Sequence, residues 1–390
     1  MIESGSVKYV MSTIKSSFLP AILFAAGLIL FYAQNPYAAE TSLSVHMAFY
    51  IVSAVGLAVL ALVNHSKPFF SFLTGVICYF FLNWSKNKYG AEYTSSFEYL
   101  WLCFLPPLNL LLFYFLKPQK LQSRSSFWII TALLGQLAFI QHFGSIIQQL
   151  PYADISFGAM PMEAAALWIL VLVPIAIDIS FKNTHLNTGL LYADTCLFLG
   201  LLYSSSASGA TTFFLSFALI LCCTTILDFY HQYNYDVLEN VGSYNAYLSC
   251  ANNNKFKYKY TIGLFCIDNS DKLQKVLGER KMRELEQMLV NRIIEFPYNI
   301  SVYRYAQTPE LIMVFQNEDA KHVMEYAENV RHVIAASEFI FSNGKSIKIT
   351  ISVSVSEKTR LDLNATSVTS RAHTSLQKAY RFNCNIVTKA

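Results

Sequence analysis

Residues 304–315 read Arg-Tyr-Ala-Gln-Thr-Pro-Glu-Leu-Ile-Met-Val-Phe, RYAQTPELIMVF. Leu311, Ile312, Met313, Val314 and Phe315 form an unbroken apolar run, the pattern of a strand buried on both faces. The stretch before it, Ala306-Gln307-Thr308-Pro309-Glu310, is turn-like, and residues 301–305 form a second short extended run. Together they predict a hairpin.

Reading outward gives a strand over 260–267, a helix over 272–295, then the hairpin. A helix over 319–337, a strand over 347–355, a helix over 367–382 and a short strand over 385–388 follow. That order is an α+β plan, with helices over a sheet that contains antiparallel strands.

The rest of the chain has a different composition. Residues 1–250 hold 9 Lys/Arg and 11 Asp/Glu, whereas residues 251–390 hold 20 and 14. A charge-poor part of about 250 residues therefore precedes one domain of ordinary size. Apolar segments recur at 18–33, 43–63, 69–84, 99–116, 127–150, 164–179, 189–203 and 210–230, and most approach the roughly 20 residues that cross a bilayer. The expectation is an α-helical polytopic membrane domain of about eight spans, followed by a cytoplasmic α+β domain. Lys8, Lys15, Lys67, Lys117, Lys120, Arg124 and Lys182 fall on one side of these spans, and only Lys86 and Lys88 on the other. The positive-inside rule then places both termini in the cytoplasm. The eight cysteines form no CxxC pair and read as small apolar residues, not as a disulfide framework or a zinc site.

Ionisable groups within spans are candidates for function. They are His46, His142, Glu163, Asp178, Asp194 and Asp228. Gln136, Gln141, His142, Ser145, Gln148 and Gln149 share one side of a helix. Gln141, His142 and Asp194 make up the candidate membrane polar site, with interhelical hydrogen bonding as the alternative. Residues 1–226 are the membrane domain, 227–254 a connecting helix and 255–390 the last domain. In the connection Leu227, Asn234, Val241 and Leu248 recur every seven residues, as do Tyr230, Val237 and Tyr244. They are an a/d seam over three heptads, a candidate homodimer contact, although Gly242 weakens the helix.

Residues 256–390 resemble the GGDEF domain of diguanylate cyclases. "FCIDNSDKLQKVLG" looks like the opening "DIDxFKxINDxxG", and RYAQTPELIMVF sits where the family has "RYGGDEFxxxL". "ITISVSVS" is similar to "VTVSIGVA", and "AHTSLQKAYRFNCNIV" to the closing "ADxALYxAKxxGRNxV". The resemblance implies a fold that joins two GTP molecules using metal-bound carboxylates. This chain departs from the pattern at the positions that do that work. The first metal aspartate falls on Cys266, and Asp268 matches the second aspartate of the opening motif. The turn is Ala306-Gln307-Thr308-Pro309-Glu310, or Gln307 to Leu311 with one inserted residue; both glycines are absent and Glu310 is its one acid. The guanine-reading positions fall on Gln274 and Arg283, and the phosphate-binding ones on Tyr380 and Cys384. The inhibitory RxxD site falls on Pro297-Tyr298-Asn299-Ile300.

The expectation is a chain with no catalytic residues, no metal and no cofactor, for which nucleotide binding is doubtful and nucleic acid is not a partner. It would act as a receptor or scaffold, meeting protein partners at the cytoplasmic face. The family resemblance links such domains to exopolysaccharide or cyclic di-GMP pathways. The alternatives are a divergent cyclase using Glu310 and Asp268, and a regulatory subunit of a transporter or secretion complex.

Overall fold

The structure is a computed structural model. It describes residues 2–33, 38–115, 120–147, 156–180, 184–206, 209–253, 259–295, 300–306, 308–362, 364–382 and 384–390, with backbone alone for 2–15, 38–42, 137, 140–147 and 379–382. The chain divides into two units, Met1–Phe229 and Tyr230–Ala390.

The first unit holds the helices α1 (Ile2–Ala33), α2 (Ala38–Val63), α3 (Ser66–Tyr89), α4 (Phe97–Phe115), α5 (Arg124–Ile147), α6 (Met162–Ile179), α7 (His185–Leu202) and α8 (Gly209–Asn234). A two-residue ribbon pairs β1 (Ser156–Phe157) with β2 (Met160–Pro161). Each of the eight expected segments falls on one helix. Among the described residues, six helices are long and apolar enough to cross a membrane, not eight. The two others are α5 and α7. In α7, His185, Asn187 and Asp194 dilute the apolar content, and Asp194 is buried among the other helices.

Packing between these helices is apolar with a few polar ties. The prolines in α4 leave carbonyls without their helical partners. The carbonyl of Cys103, four residues before Pro107, takes the indole N–H of buried Trp168 on α6 at 3.1 Å. Asn109 on α4 and Gln136 on α5 exchange two amide hydrogen bonds of 2.8 and 3.0 Å. Gly189 on α7 lets α8 approach closely, since a Cβ there would meet the Thr224 side chain at 2.2 Å.

In the second unit α8 stops at Asn234, and the next helix, α9, spans Tyr244–Asn252. The expected three-heptad helix is therefore broken. Between the two helices Asp236 N–H bonds the Val241 carbonyl, Ser243 N–H bonds the Asn234 carbonyl, and Asn240 takes φ 62°. Gly242 joins the edge of the sheet, donating to Val302 O at 2.9 Å and accepting from Arg304 N at 2.8 Å. The seam residues separate accordingly. Leu227, Tyr230 and Val237 are exposed, and Val241 is buried in the domain core. Asn234 closes α8, and Tyr244 and Leu248 pack on their own domain.

The sheet contains β3 (Tyr260–Ile267), β4 (Ile300–Arg304), β5 (Leu311–Gln316), β8 (Ile351–Glu357) and β9 (Val387–Lys389), in the order β4-β5-β3-β8-β9. Neighbours are antiparallel except β8 and β9. A ribbon of β6 (Phe339–Ile340) and β7 (Ser346–Ile347) takes up the start of the strand expected over 347–355. Alternation sorts the faces. Phe265, Ile267, Met313, Phe315, Val353 and Val355 pack under α10 (Ser270–Ile294) and α11 (Ala320–Ala336). Ile262, Leu264, Cys266, Ile312 and Val314 pack against α9 and α12 (Ala365–Phe382). The α10 helix bends at Gly278, which takes φ 77°.

Candidate functional site

The turn between β4 and β5 is held by its own backbone. Tyr305 N–H bonds the Glu310 carbonyl at 3.0 Å, and Thr308 N–H bonds the Tyr305 carbonyl at 3.1 Å. Ala306 sits at φ 48°, in the left-handed region where a glycine fits without a Cβ penalty. Ala306 takes this conformation without being a glycine.

Glu310 turns into the fold. It is 8% exposed, its carboxylate lies 3.0 Å from His373 Nδ1 on α12, and it accepts from Thr308 Oγ1 at 3.3 Å. His373 in turn meets Gln377 at 2.8 Å and lies beside the ring of Tyr305. Sequence reading missed His373. No local spacing links the two, because Glu310 and His373 lie 63 residues apart in sequence.

Asp268 is also spent internally. It accepts from Thr350 Oγ1 and Ser352 Oγ at 2.6 Å each and from Asn385 N–H at 2.8 Å. It therefore clamps the end of β3, the start of β8 and the approach to β9. Cys266 is buried with its thiol toward the Ile267 carbonyl, whereas Cys384 is exposed.

A cleft of about 500 Å³ opens between the start of α10 and this turn. Gln274, Arg283, Ala306, Thr308 and Pro309 line it; Cys266, Asp268 and Glu310 do not. Its charges are Asp236, Asp271, Glu279 and Glu286 against Arg283 and Arg304. Both guanidiniums already face carboxylates. Arg304 binds Asp236 at 2.9 Å and Glu286 at 2.8 Å, and Arg283 faces Glu279 at 3.4 Å. Burial lowers the affinity of Arg304 for its proton, and Glu286 and Asp236 outweigh that effect, so its pKa rises. The Asp236–Arg304–Glu286 cluster is a second feature that sequence reading did not find. Its members lie 68 and 18 residues from Arg304, and no local spacing links them.

The remaining candidates are placed only in part. Asp194 is 2% exposed, and its Oδ1 has no hydrogen-bond partner. Asp178 accepts from the Tyr114 hydroxyl at 3.0 Å. The side chains of Gln141, His142 and Tyr380, all of Gln307 and Pro297 to Asn299 lie outside the described residues. Among the described residues no group of three or more His, Cys, Asp or Glu is placed to hold a metal ion.

Neither a family model nor a curated protein matches the chain. Solved structures do. The GGDEF domain of DgcB from Caulobacter crescentus, in complex with c-di-GMP, is 21% identical with a TM-score of 0.36, over 40% of this chain and 92% of that one. The FimX GGDEF domain from Pseudomonas aeruginosa is 16% identical with a TM-score of 0.35, over 40% and 98%. The active GGEEF domain of a diguanylate cyclase from Vibrio cholerae is 21% identical with a TM-score of 0.31, over 34% and 82%. By its order of strands and helices and its sheet topology, the C-terminal domain of this chain has a GGDEF-like fold.

Proposed function

We propose that this protein is a membrane-anchored, GGDEF-like receptor or scaffold that does not make cyclic di-GMP. It acts through protein contacts at the cytoplasmic face of a bacterial inner membrane. One observation carries the reading: the acids that remain near the signature motifs point away from the cleft. Glu310 is taken by His373 and Thr308, and Asp268 by Thr350, Ser352 and the Asn385 amide. Metal-assisted phosphoryl transfer needs carboxylates that face the phosphates. The cleft offers acids on α10 and in the connection instead, and three of them, Asp236, Glu279 and Glu286, face its two arginines. The same arrangement disfavours a divergent cyclase built on Glu310 and Asp268.

The test uses the full chain in detergent, incubated with GTP and Mg²⁺, with product separated by chromatography. No cyclic di-GMP is expected, and product above a boiled control overturns the reading. Calorimetry with cyclic di-GMP on the same sample separates a receptor for that ligand from a scaffold that binds protein alone.

A further inference from the structure

Lys86 lies in the last turn of α3, within the apolar stretch Ser66–Ser95. Its ammonium donates to the Ser204 carbonyl at 2.5 Å and stands 5.3 Å from the centre of the Tyr93 ring. Among the described residues no carboxylate lies within ion-pair distance of it. Lys88, two residues on, binds Glu98 at 3.0 Å. An ammonium has three donors, and the carbonyl accepts one of them.

The surroundings are hydroxyl-rich and buried. The Tyr93 and Tyr99 hydroxyls meet Ser204 Oγ at 3.0 and 2.9 Å. Two turns back along α3, the Tyr79 hydroxyl meets the His46 ring and Thr211. Tyr79, Tyr93, Tyr99, Ser204 and Thr211 are each under a tenth exposed. Next to Ser204 in sequence, the exposed ring of Tyr203 packs on Phe31 and on buried Phe213, which gives an aromatic surface there.

Lys86 is half-buried at the end of α3, and the buried part of its charge is costly without a counter-charge. The C-terminal dipole of α7 and the Tyr93 face offset part of that cost. What remains matches a single negative charge, next to an apolar surface. We propose that Lys86, with Tyr93 and Ser204, forms a subsite for a carboxylate that carries an apolar chain, as a fatty acid in the bilayer does. The carboxylate accepts from the free donors of the ammonium, and the chain lies along the aromatic surface. This inference does not depend on whether the C-terminal domain is catalytically silent, so either can fail without the other.

The experiment is calorimetric titration of octanoate into the full chain in detergent, corrected for partition into empty micelles. Octanol and octyl phosphate are run in parallel. One saturable site for octanoate is expected, with no comparable site for octanol and weaker binding of octyl phosphate. Lys86→Gln should weaken octanoate binding about tenfold or more, the effect of losing a charge-assisted hydrogen bond. Lys88→Gln should bind as wild type does. No saturable site, equal binding of octanol or octyl phosphate, or unchanged binding by Lys86→Gln overturns the proposal. If Lys86→Gln does not fold, Tyr93→Phe carries the test, because it keeps the ring and removes the hydroxyl. Binding about threefold or more weaker supports the subsite, and unchanged binding overturns it.

Discussion

Asp268 accepts hydrogen bonds from two segments that are distant in sequence, the start of β8 and the approach to β9, and Asp362 does comparable work at the other end of β8. Asp362 receives Arg371 at 3.0 Å, and Arg371 also donates to Ser356 and to the Glu357 carbonyl. Replacing Asp268 by alanine would leave those donors buried without an acceptor. The expected loss is about 3 kcal/mol, read as amide exchange in β8 and β9 roughly a hundredfold faster. Unchanged exchange would refute the clamp. Asp362 gives a pH dependence. Burial pushes its carboxyl up, but Arg371 and hydrogen bonds from Thr359 and Ser367 prevail and hold it at about 2, against an ordinary 3.8. Because the folded value is depressed, its stabilisation is fully present above pH 3.8. It is lost as pH falls through 2. Thermal midpoints of wild type should fall more steeply between those values than those of Asp362→Asn. Parallel curves would contradict this. At this scale the sequence was legible where a motif carries the residue, as with Asp268 and Glu310. What each carboxylate touches was not legible, because Thr350, Ser352, Asn385 and His373 come from other elements.

Among the elements, the hairpin, the central strand and the three long helices of the C-terminal domain lie close to where periodicity put them. The connection does not. A seven-residue recurrence places apolar side chains on one stripe only if the backbone stays helical. Gly242 and the left-handed Asn240 end that condition, and sheet-edge hydrogen bonds supply the alternative. Two adjacent seam positions discriminate the readings. Val241→Ala should cost roughly 1–3 kcal/mol, because Val241 is 1% exposed. Val237→Ala should be within about 0.5 kcal/mol of wild type, because Val237 is 77% exposed. Chemical denaturation of the two variants decides between them, and equal losses would restore the continuous seam. The resemblance in RYAQTPELIMVF also becomes more specific. The β4–β5 hairpin persists, whereas the carboxylate at the end of its turn faces the core.

For the whole molecule, composition was the legible quantity. Six helices of the first unit meet the length and apolarity of a membrane span, and large apolar side chains such as Phe18, Ile51, Leu62, Phe80 and Leu170 are exposed on them. In water such a surface is an aggregation hazard, and in lipid it is the ordinary exterior. The full chain should stay with the membrane pellet after carbonate at high pH and dissolve only with detergent. Release by carbonate would refute an integral membrane protein. The number of spans was less legible, because a helix buried within a bundle can carry Asp194 and still occupy a place among the others.

The two hydrogen bonds that stitch Gly242 to β4 also have a mechanical meaning. The bridge between Gly242 and Tyr303 is parallel, with ion pairs from Arg304 to Asp236 and Glu286 beside it. A pull or twist applied at Asn234 would load the outermost strand of the sheet in shear before it strained α9. That strand ends at Arg304, two residues before Ala306. Such a load would reach the base of the turn that holds Glu310 before it reached the second face of the sheet.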